Sequence, residues 1–335
     1  MGIILKSVFL ANSFHLSKTK STDFLIDFLK TWLDLEVIPH KEAWAKLPHK
    51  PELLMTFQHL WKPQELEAMG AKTTVVVPMY DDCPKTQEFW DRYLGFKILS
   101  FFSKTLGDLL KSWGHDVFTV QYYQDPSLVS VQTKSEFRGF FWPRTPQLTW
   151  KHIRPLLAGA DWKSFHLHVT NPEGALELPD EQERELFHLT QTSWFEKPEE
   201  FLKVMSEATV YFAPRRLEGI GQAVLEALAR GQCVVSPDAP TMNEYITNGV
   251  DGLLYDPNHP QPLDWSNIFE LGKRARTRAE EGWNNWQNSL PDLRRFLSEE
   301  TPRSQNRFHP GIRLKGKLIA FARKCYRLLK SLFGW

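Results

Sequence analysis

The chain has 335 residues, enough for two domains of ordinary size, and its 42% hydrophobic and 24% charged residues are typical of a globular protein rather than a disordered one. The formal net charge of +1 excludes no class of partner. The charge is unevenly distributed, however. The segment from Thr301 to Trp335 has nine Lys or Arg residues and no Asp or Glu, so a basic tail follows an acidic body.

The cysteines and the first residues bear on the compartment. Cys83, Cys233 and Cys325 are too far apart for a disulfide framework or a zinc site, which favours a reducing, cytoplasmic setting. The opening apolar run is predicted to be a β-strand rather than a signal peptide, because Lys6 interrupts it and no small-residue cleavage site follows. No stretch of about 20 apolar residues occurs, so no transmembrane helix is predicted.

In the first half, short apolar runs alternate with amphipathic stretches, as in α/β proteins. The predicted strands are Ile3–Leu10, Leu35–Ile38, Leu53–Phe57, Thr73–Val77, Ile98–Phe101 and Val117–Tyr122. The predicted helices between them include Asp23–Leu33 and Leu106–Trp113. A turn-rich segment, Gln124–Ser127, then indicates a linker.

The second half restarts the alternation. Its predicted strands are Phe137–Trp142, Phe165–Val169, Glu185–Thr190, Thr209–Phe212, Cys233–Ser236 and Gly252–Tyr255, and its predicted helices are Trp150–Leu157, Glu199–Glu207, Gln222–Arg230 and Met242–Thr247. Two successive α/β units predict two Rossmann-like domains that face each other across a central cleft. Ligands are expected beyond the carboxyl ends of the strands.

The densest pattern lies between residues 211 and 257. A strand is followed by a loop over residues 214–221 and by the helix Gln222–Arg230, which Gly231 is suited to end. Gly219 and Gly221 allow the backbone to approach a ligand closely, and the free N–H groups at the helix start can bind a phosphate. The pattern therefore favours a phosphate-containing ligand, although such a turn on its own is common.

Glu218 lies on this loop and Glu226 on the helix that follows it. A carboxylate accepts two hydrogen bonds from a vicinal diol, so one glutamate could hold the hydroxyls of a sugar and the other those of a ribose. Taken alone, two glutamates at this spacing are also typical of a solvated surface.

The whole segment resembles the donor-binding signature of the retaining glycosyltransferases called group 1 or family 4, which have the GT-B fold. The matching residues are Pro214, Glu218-Gly219-Ile220-Gly221, Leu225-Glu226-Ala227, Gly231-Gln232-Cys233-Val234-Val235, Glu244 and the segment 249–254. Three features depart from the family pattern: Ile220 replaces Phe, Cys233 replaces Pro, and residues 239–241 replace a Gly-Gly turn.

The resemblance implies an α/β protein of the GT-B class that moves a hexose from a nucleotide sugar to a glycan or lipid-linked acceptor with retention. It implies that Glu218 contacts the hexose, that Glu226 contacts the nucleotide ribose, and that Gly219, Ile220, Gly221 and Glu244 belong to the donor site. It implies no metal and no cofactor, since the nucleotide sugar is a substrate. The alternatives are another enzyme of this fold, such as an epimerase or a phosphorylase, and a non-catalytic module that binds a sugar nucleotide or a membrane.

The same reasoning divides the chain. Residues 1–126 are expected to form the acceptor-side domain and residues 127–265 the donor domain. Residues 266–300 are expected to form helices that cross back to the first domain, and residues 301–335 a basic amphipathic tail.

A departing diphosphate needs Arg or Lys to stabilise its charge when no metal is present. Arg144, just past a strand, and Lys151, at a helix start, are the predicted catalytic pair. The other basic residues in these two segments remain alternatives: Arg138, Arg154, Arg215 and Arg216.

Two smaller features complete the donor half. Base contacts are expected from the loops Asn171–Gly174 and Thr192–Glu196, where Trp194 or Phe195 could stack on the base or pack in the core. His166 and His168 alternate on one strand, but without a third ligand they predict a partly buried strand face rather than a metal site.

The resemblance fades before residue 135, so the acceptor side has only isolated candidates. Polar residues that follow predicted strands are His15, Gln58, His59, Asp81 and Asp82. Each could orient an acceptor hydroxyl, and each could equally be a capping or solvated loop residue. Retaining transfer in this fold is usually described as a same-face displacement in which the leaving phosphate helps to deprotonate the acceptor.

The tail has the pattern of an amphipathic helix. Leu314, Leu318, Phe321, Ala322, Cys325, Leu328, Leu329 and Leu332 fall on one face, whereas Lys317, Arg323, Lys324, Arg327 and Lys330 fall on the other. This pattern predicts contact of residues 306–335 with an anionic membrane surface, on the inner face of the plasma membrane. A terminal helix packed on the first domain is the alternative. No nucleic-acid motif is present.

Overall fold

The computed structural model describes residues 6–48, 50–170, 177–193, 195–219, 221–300 and 310–333. The chain divides into two compact units. The first contains Met1–Val120 together with Ser289–Trp335, and the second contains Gln121–Asn288. Each unit has a six-stranded sheet in which every pairing is parallel.

The sheet of the first unit has the strand order β2-β1-β3-β4-β5-β6. Its strands are β1 (Lys6–Ala11), β2 (Asp34–Pro39), β3 (Leu53–Phe57), β4 (Thr73–Val77), β5 (Lys97–Phe101) and β6 (Asp116–Val120). Its helices before the second unit are α1 (Asp23–Lys30), α2 (Ala43–Lys46), α3 (Pro63–Met69), α4 (Gln87–Trp90) and α5 (Lys104–Ser112). The central strands β3, β4 and β5 are buried at every position, as expected of parallel strands covered on both faces.

The strands predicted for this half all form, and two of them, β3 and β4, have the predicted bounds. Ile3 to Leu5 of the first predicted strand lie outside the described residues. Helix α3 was not predicted. Pro63 occupies its first turn, and the Glu65 carboxylate accepts a hydrogen bond from the Lys62 backbone N–H at 3.0 Å, which are ordinary helix-start features.

The sheet of the second unit has the order β9-β8-β7-β10-β11-β12. Its strands are β7 (Phe137–Phe141), β8 (Trp162–His168), β9 (Leu189–Thr192), β10 (Val210–Phe212), β11 (Cys233–Pro237) and β12 (Leu253–Tyr255). Its helices are α6 (Trp150–Ile153), α7 (Glu181–Leu186), α8 (Pro198–Ser206) and α9 (Gln222–Arg230). The order corresponds to the doubly wound Rossmann arrangement.

One predicted strand of this half forms, but it begins later than predicted. Residues 185–190 were expected to be extended, but α7 continues to Leu186 and β9 begins only at Leu189. The cause lies at the helix start, where the Asp180 carboxylate accepts a hydrogen bond from the Glu183 backbone N–H at 2.9 Å. This N-cap fixes a helix in a sequence whose apolar spacing alone looked extended.

Helix α10 (Ile268–Ser298) includes residues of both units, and its end is anchored by a buried lysine. Lys97 is 2% exposed, and its Nζ donates hydrogen bonds to the carbonyl oxygens of Phe296 at 2.5 Å and Glu299 at 2.6 Å. The same ammonium lies 4.6 Å from the centre of the Phe296 ring. A cation therefore satisfies carbonyl groups that a helix end leaves without intrahelical partners.

Helix α11 (Pro310–Phe333) packs against α3 within the first unit. A side chain at Gly316 would meet Glu67 at 2.8 Å, so the two helices approach closely there. Further along, the Arg323 guanidinium lies 4.9 Å from the Trp44 ring centre and donates to the Leu47 carbonyl at 3.4 Å. Within the described residues, no helix is long and apolar enough to span a bilayer.

The anchoring of α10 gives a stability prediction. Lys97→Met keeps the aliphatic stem but removes both hydrogen bonds to the helix end, so we expect the free energy of unfolding to fall by about 2–3 kcal/mol. Urea unfolding followed by tryptophan fluorescence measures the change. Lys111→Met, at an exposed position of α5, is the control and should change stability by less than about 0.5 kcal/mol. Equal stabilities of the two variants would contradict the role of Lys97.

Candidate functional site

The topology of the second sheet locates the site before any side chain is considered. Strands β7 and β10 are neighbours, and the chain leaves β7 toward β8 on one side and β10 toward β11 on the other. At such a switch point the loops beyond the carboxyl ends diverge and leave a crevice that binds ligands. The loops concerned are residues 142–149 after β7 and residues 213–221 after β10.

The loop after β10 buries a carboxylate. Glu218 is only 8% exposed, and its Oε1 lies 3.9 Å from Nη1 of Arg215. A buried charge of this kind is stable only when it is paired or hydrogen-bonded. The pairing with Arg215 therefore indicates a built polar site rather than a solvated glutamate.

Arg144, on the loop after β7, belongs to the same cluster of charges. Its guanidinium lies 4.6 Å from the centre of the Trp142 ring. Partial loss of hydration lowers the pKa of Arg144, the charge of Arg215 lowers it further, and the Glu218 carboxylate raises it. A guanidinium remains charged at neutral pH despite such effects. Two cations and one carboxylate thus meet at the switch point, and Arg215 was only an alternative in the sequence.

Gly221 shapes the turn into α9. Its φ is +56°, in the left-handed region, and a Cβ there would lie 2.7 Å from Cε of Met242 and 3.2 Å from Cγ of Glu218. The left-handed φ therefore favours glycine at this position, and a Cβ would also displace the end of the Met242 side chain. Gly219 is buried on the same loop, whereas Ile220 lies outside the described residues.

Glu226 lies on α9 and is half-buried. Burial raises the pKa of its carboxyl, and Arg230 lowers it. A desolvated carboxylate gains most from hydroxyl groups that donate to it, so the position suits a diol ligand.

The other predicted site residues have their described contacts outside the Glu218 cluster. Glu244 ends a 3-10 turn, Met242–Glu244, and its carbonyl accepts a hydrogen bond from Nε2 of Gln121 at 3.5 Å. Lys151 is exposed, and its Nζ bonds Oε1 of Glu177 at 3.0 Å. The described contacts of Lys151 do not include Glu218, so its catalytic role stays a prediction. Arg216 donates to Oδ1 of Asn258.

The two histidines on β8, His166 and His168, form hydrogen bonds with threonine hydroxyls of β9. The Thr192 hydroxyl lies 2.9 Å from Nε2 of His166 and 3.0 Å from Nδ1 of His168, and Thr190 lies 2.8 Å from Nδ1 of His166. Within the described residues, no group of three or more His, Cys, Asp or Glu side chains could hold a metal ion.

Phe195 stacks on the His168 ring, with centroids 5.1 Å apart and planes at 12°. Of the two roles that the sequence left open for Phe195, this contact corresponds to core packing. Trp194 and the loop Asn171–Gly174, also predicted near the base, lie outside the described residues.

The structure adds Tyr211, which the sequence did not single out. It is fully buried in β10, its ring stacks on Phe140 at 5.7 Å, and its hydroxyl has no hydrogen-bond partner among the described residues. Burial raises the pKa of Tyr211, and so do the nearby charges of Glu218 and Glu226. Strand alternation could have indicated it, since it places Tyr211 on the opposite face from its apolar neighbours.

Comparisons with known proteins agree with this geometry. The family model "Glycosyl transferases group 1" matches residues 179–268. Among solved structures, HepE of Anabaena in complex with UDP and glucose is 14% identical, covers 88% of this chain and 99% of that chain, and has a TM-score of 0.63. A glycosyltransferase from Rickettsia africae (12% identity, 90% and 100% coverage, TM-score 0.60) and sucrose-phosphate synthase of Thermosynechococcus elongatus (12%, 86% and 97%, 0.58) have the same fold. No curated protein sequence matches the chain.

The fold and the family match define a glycosyltransferase with the GT-B fold, in which both sheets are Rossmann-like. Residues 179–268 match the group 1 glycosyltransferase model, which supports an enzyme that uses a nucleotide-sugar donor. The predicted fold class and enzyme class are thereby confirmed.

The paired histidines give a pH prediction. Burial lowers the pKa of both His166 and His168 from the ordinary 6.5 to about 4. Between these values the unfolded chain binds protons that the folded chain does not, so the stability from these residues is present above about pH 6.5 and is lost as the pH falls toward 4. We expect the thermal midpoint of the wild type to fall as the pH is lowered over this range. The thermal midpoint of the double variant His166→Gln, His168→Gln should fall less steeply. His259→Gln, at an exposed position, should keep the wild-type dependence of the thermal midpoint on pH. If the double variant shows that same dependence, the assignment of the effect to His166 and His168 is refuted.

Proposed function

We propose that this enzyme transfers a hexose from a nucleoside diphosphate sugar to a glycan or lipid-linked acceptor, with retention of configuration and without a metal ion. The observation that carries the proposal is the buried Glu218 carboxylate, which lies beside Arg215 and Arg144 at the switch point of the second sheet. A nucleotide sugar has a neutral, hydroxylated end and an anionic diphosphate, and this cluster offers a matching group for each.

Different residues bind the different parts of the donor. The Glu218 carboxylate accepts hydrogen bonds from hexose hydroxyls, and Glu226 accepts those of the ribose diol. Arg144 and Arg215 bind the diphosphate, with the N–H groups at the start of α9 as further donors. Lys151 would join them only after releasing Glu177.

The reaction breaks the bond between the anomeric carbon and the diphosphate oxygen and forms a bond from that carbon to the acceptor hydroxyl on the same face. The proton of the hydroxyl passes to the departing phosphate oxygen, so no separate general base is needed. As the bond breaks, negative charge grows on the diphosphate, and the two guanidinium groups stabilise it more strongly than in the ground state.

Anabaena HepE, which shares the fold, has been solved with UDP and glucose and with UDP-glucose. UDP-glucose is therefore the first donor to test, followed by other UDP-, GDP-, ADP- and dTDP-sugars.

The donor site gives the central prediction. At least one of these nucleotide sugars should raise the thermal midpoint of the wild type and be hydrolysed or transferred. Glu218→Gln should lower turnover about 100-fold, because the neutral amide no longer matches the adjacent guanidinium groups and accepts fewer hydroxyl hydrogen bonds. Glu199→Gln, on the exposed surface of α8, should behave as wild type. The proposal fails if no nucleotide sugar in the panel binds.

We also propose that the basic C-terminal segment, residues 306–335, holds the enzyme on an anionic membrane surface at the cytoplasmic face. The described part of α11 supports this by the face it leaves exposed. Leu314, Leu318 and Phe321 are 62%, 61% and 67% exposed, and their spacing places them in one row along the helix.

The opposite face of α11 is the one that packs. At about 100° per residue, Gly316 and Arg323 lie roughly half a turn away from this row, and these two residues contact α3 and Trp44. Lys315 and Lys317 are exposed on either side of the row. A row of apolar side chains flanked by lysines matches a lipid interface, in which apolar groups enter the acyl boundary and cations meet anionic headgroups.

Vesicle binding tests the apolar row on α11 as a lipid contact. The full chain should pellet with phosphatidylglycerol vesicles more than with phosphatidylcholine vesicles, and salt should weaken the binding. The triple variant Leu314→Ser, Leu318→Ser, Phe321→Ser should bind at least about tenfold more weakly. A matched control replaces three other exposed leucines, Leu128, Leu186 and Leu202, by Ser. Equal binding of both triple variants would rule out the row as the lipid contact.

A further inference from the structure

The turn into α9 rests on a buried methionine. The carbonyl of Gly221 accepts hydrogen bonds from the backbone N–H groups of Val224 at 2.8 Å and Leu225 at 3.0 Å, which close the first turn of the helix. The Met242 side chain packs against the same glycine, since a Cβ on Gly221 would lie 2.7 Å from its Cε and 2.8 Å from its Sδ. Met242 is 3% exposed. Its position therefore limits where the turn into α9 can lie.

Met242 belongs to the 3-10 turn Met242–Glu244, which backbone hydrogen bonds close. The Glu244 N–H donates to the Thr241 carbonyl at 3.0 Å, and the N–H of the next residue, Tyr245, donates to the Met242 carbonyl at 3.0 Å. Tyr245 is fully buried. The 3-10 turn and Tyr245 are thus tied together, so whatever holds Tyr245 also holds Met242.

The Tyr245 side chain joins this 3-10 turn to residues 121–123, which directly follow β6. Its hydroxyl donates a hydrogen bond to the Tyr122 carbonyl at 3.3 Å. Its ring lies 5.0 Å from the Tyr123 ring, with the planes at 50°. Burial raises the pKa of Tyr245 well above its ordinary value, so the hydroxyl keeps the proton that it donates.

Helix α10 holds residues 121–123 from the other side. The Tyr122 ring lies edge-on to Trp286, with centroids 5.6 Å apart and planes at 84°. Tyr123 lies so close to Gly282 that a Cβ on this glycine would be 2.4 Å from the tyrosine ring. All of these residues belong to the second unit. A continuous path of contacts therefore runs from α10 to Tyr245 and on to the turn into α9.

A buried tyrosine can be a packing residue and no more, but two features favour a functional role here. The Tyr245 hydroxyl makes a directed bond that ring packing alone does not supply. The 3-10 turn that it anchors includes Glu244, a predicted donor-site residue, and touches Gly221. Because the N–H groups that follow Gly221 must point at a diphosphate to bind it, even a displacement of about 1 Å is costly.

We propose that Tyr245 is a positioning residue for the donor site. Its hydroxyl holds the 3-10 turn, and Met242 then holds Gly221 at the angle that aims the first N–H groups of α9 at the diphosphate. Tyr245 acts through Met242 and Gly221 rather than by contact with the donor. The positioning itself needs no ligand, whereas its consequence for the reaction rests on the proposed function.

Hydrogen exchange on the full chain without ligand tests the positioning. Tyr245→Phe keeps the ring and removes only the hydroxyl bond, so the two amides that bond the Gly221 carbonyl should exchange about fivefold faster than in the wild type. The amide of Val169, which donates to the Thr192 carbonyl at 2.8 Å just beyond β8, should exchange as in the wild type. Faster exchange at both places would indicate general destabilisation and would contradict the inference.

Tyr93→Phe is the matched control. Tyr93 is 2% exposed, and its hydroxyl also donates to a backbone carbonyl, that of Trp61, at 2.8 Å. This variant should lower the thermal midpoint about as much as Tyr245→Phe but leave the exchange of the Gly221-bonded amides unchanged. Met242→Ala, which removes the contact with Gly221, should accelerate those amides, and adding Tyr245→Phe to it should change little because both act along one path.

Kinetics with whichever nucleotide sugar the donor screen identifies test the consequence for the reaction. The aligned N–H groups bind the diphosphate in the ground state as well as in the transition state, so Tyr245→Phe should raise the donor KM about fivefold and change kcat less than about twofold. A merely structural loss would lower kcat through the active fraction and leave KM unchanged.

The inference is overturned if the Gly221-bonded amides of Tyr245→Phe exchange as in Tyr93→Phe, or if the two variants have the same donor KM. A donor screen in which no nucleotide sugar binds would instead overturn the proposed function. The exchange measurements would then still decide whether Tyr245 positions the turn into α9, since they contain no nucleotide.

Discussion

The change in strand order beside β7, where successive strands are added on opposite sides, is the constraint on which the proposed donor site depends. Parallel strands end at one edge of the sheet, and the hydrogen-bonded pairing of β7 with β10 places the two loops at that edge next to each other although the strands are far apart in sequence. One loop contributes Arg144 and the other Arg215 and Glu218. The site is thus a consequence of strand order, and it would be lost if the two strands were not neighbours.

Electrostatics within that crevice explain why a glutamate remains there. A carboxylate that is 8% exposed would be costly without compensation, and the two neighbouring guanidinium groups provide it. The arrangement also carries excess positive charge, which a diphosphate can neutralise. Fixed charges of this kind act without reorganisation when negative charge develops on the leaving group. Under the proposed function, the two cations that compensate Glu218 also stabilise the leaving diphosphate.

Helix α11 shows how packing changes the meaning of an amphipathic pattern. An apolar row normally covers the protein core, but here Gly316 allows a close approach to α3 and Arg323 binds Trp44 and Leu47, so the polar side packs and the row of Leu314, Leu318 and Phe321 is exposed. A contiguous exposed apolar row is typical of an interaction surface. The exposed lysines on both sides favour an anionic surface.

The sequence by itself determined the alternation of strands and helices, the glycine turn into α9 and the position of Glu218 and Glu226, because these depend on local propensity and on contiguous residues. Even there, the helix that begins at the Asp180 N-cap delays the strand expected from residue 185 until Leu189. Only the tertiary structure decided that Arg215 rather than Lys151 adjoins Glu218, that the buried Tyr211 lies within the field of both glutamates, and that His40 and Trp61 meet His59. These contacts join residues from different strand ends, and strand order and side-chain packing, which the sequence does not display, bring them together.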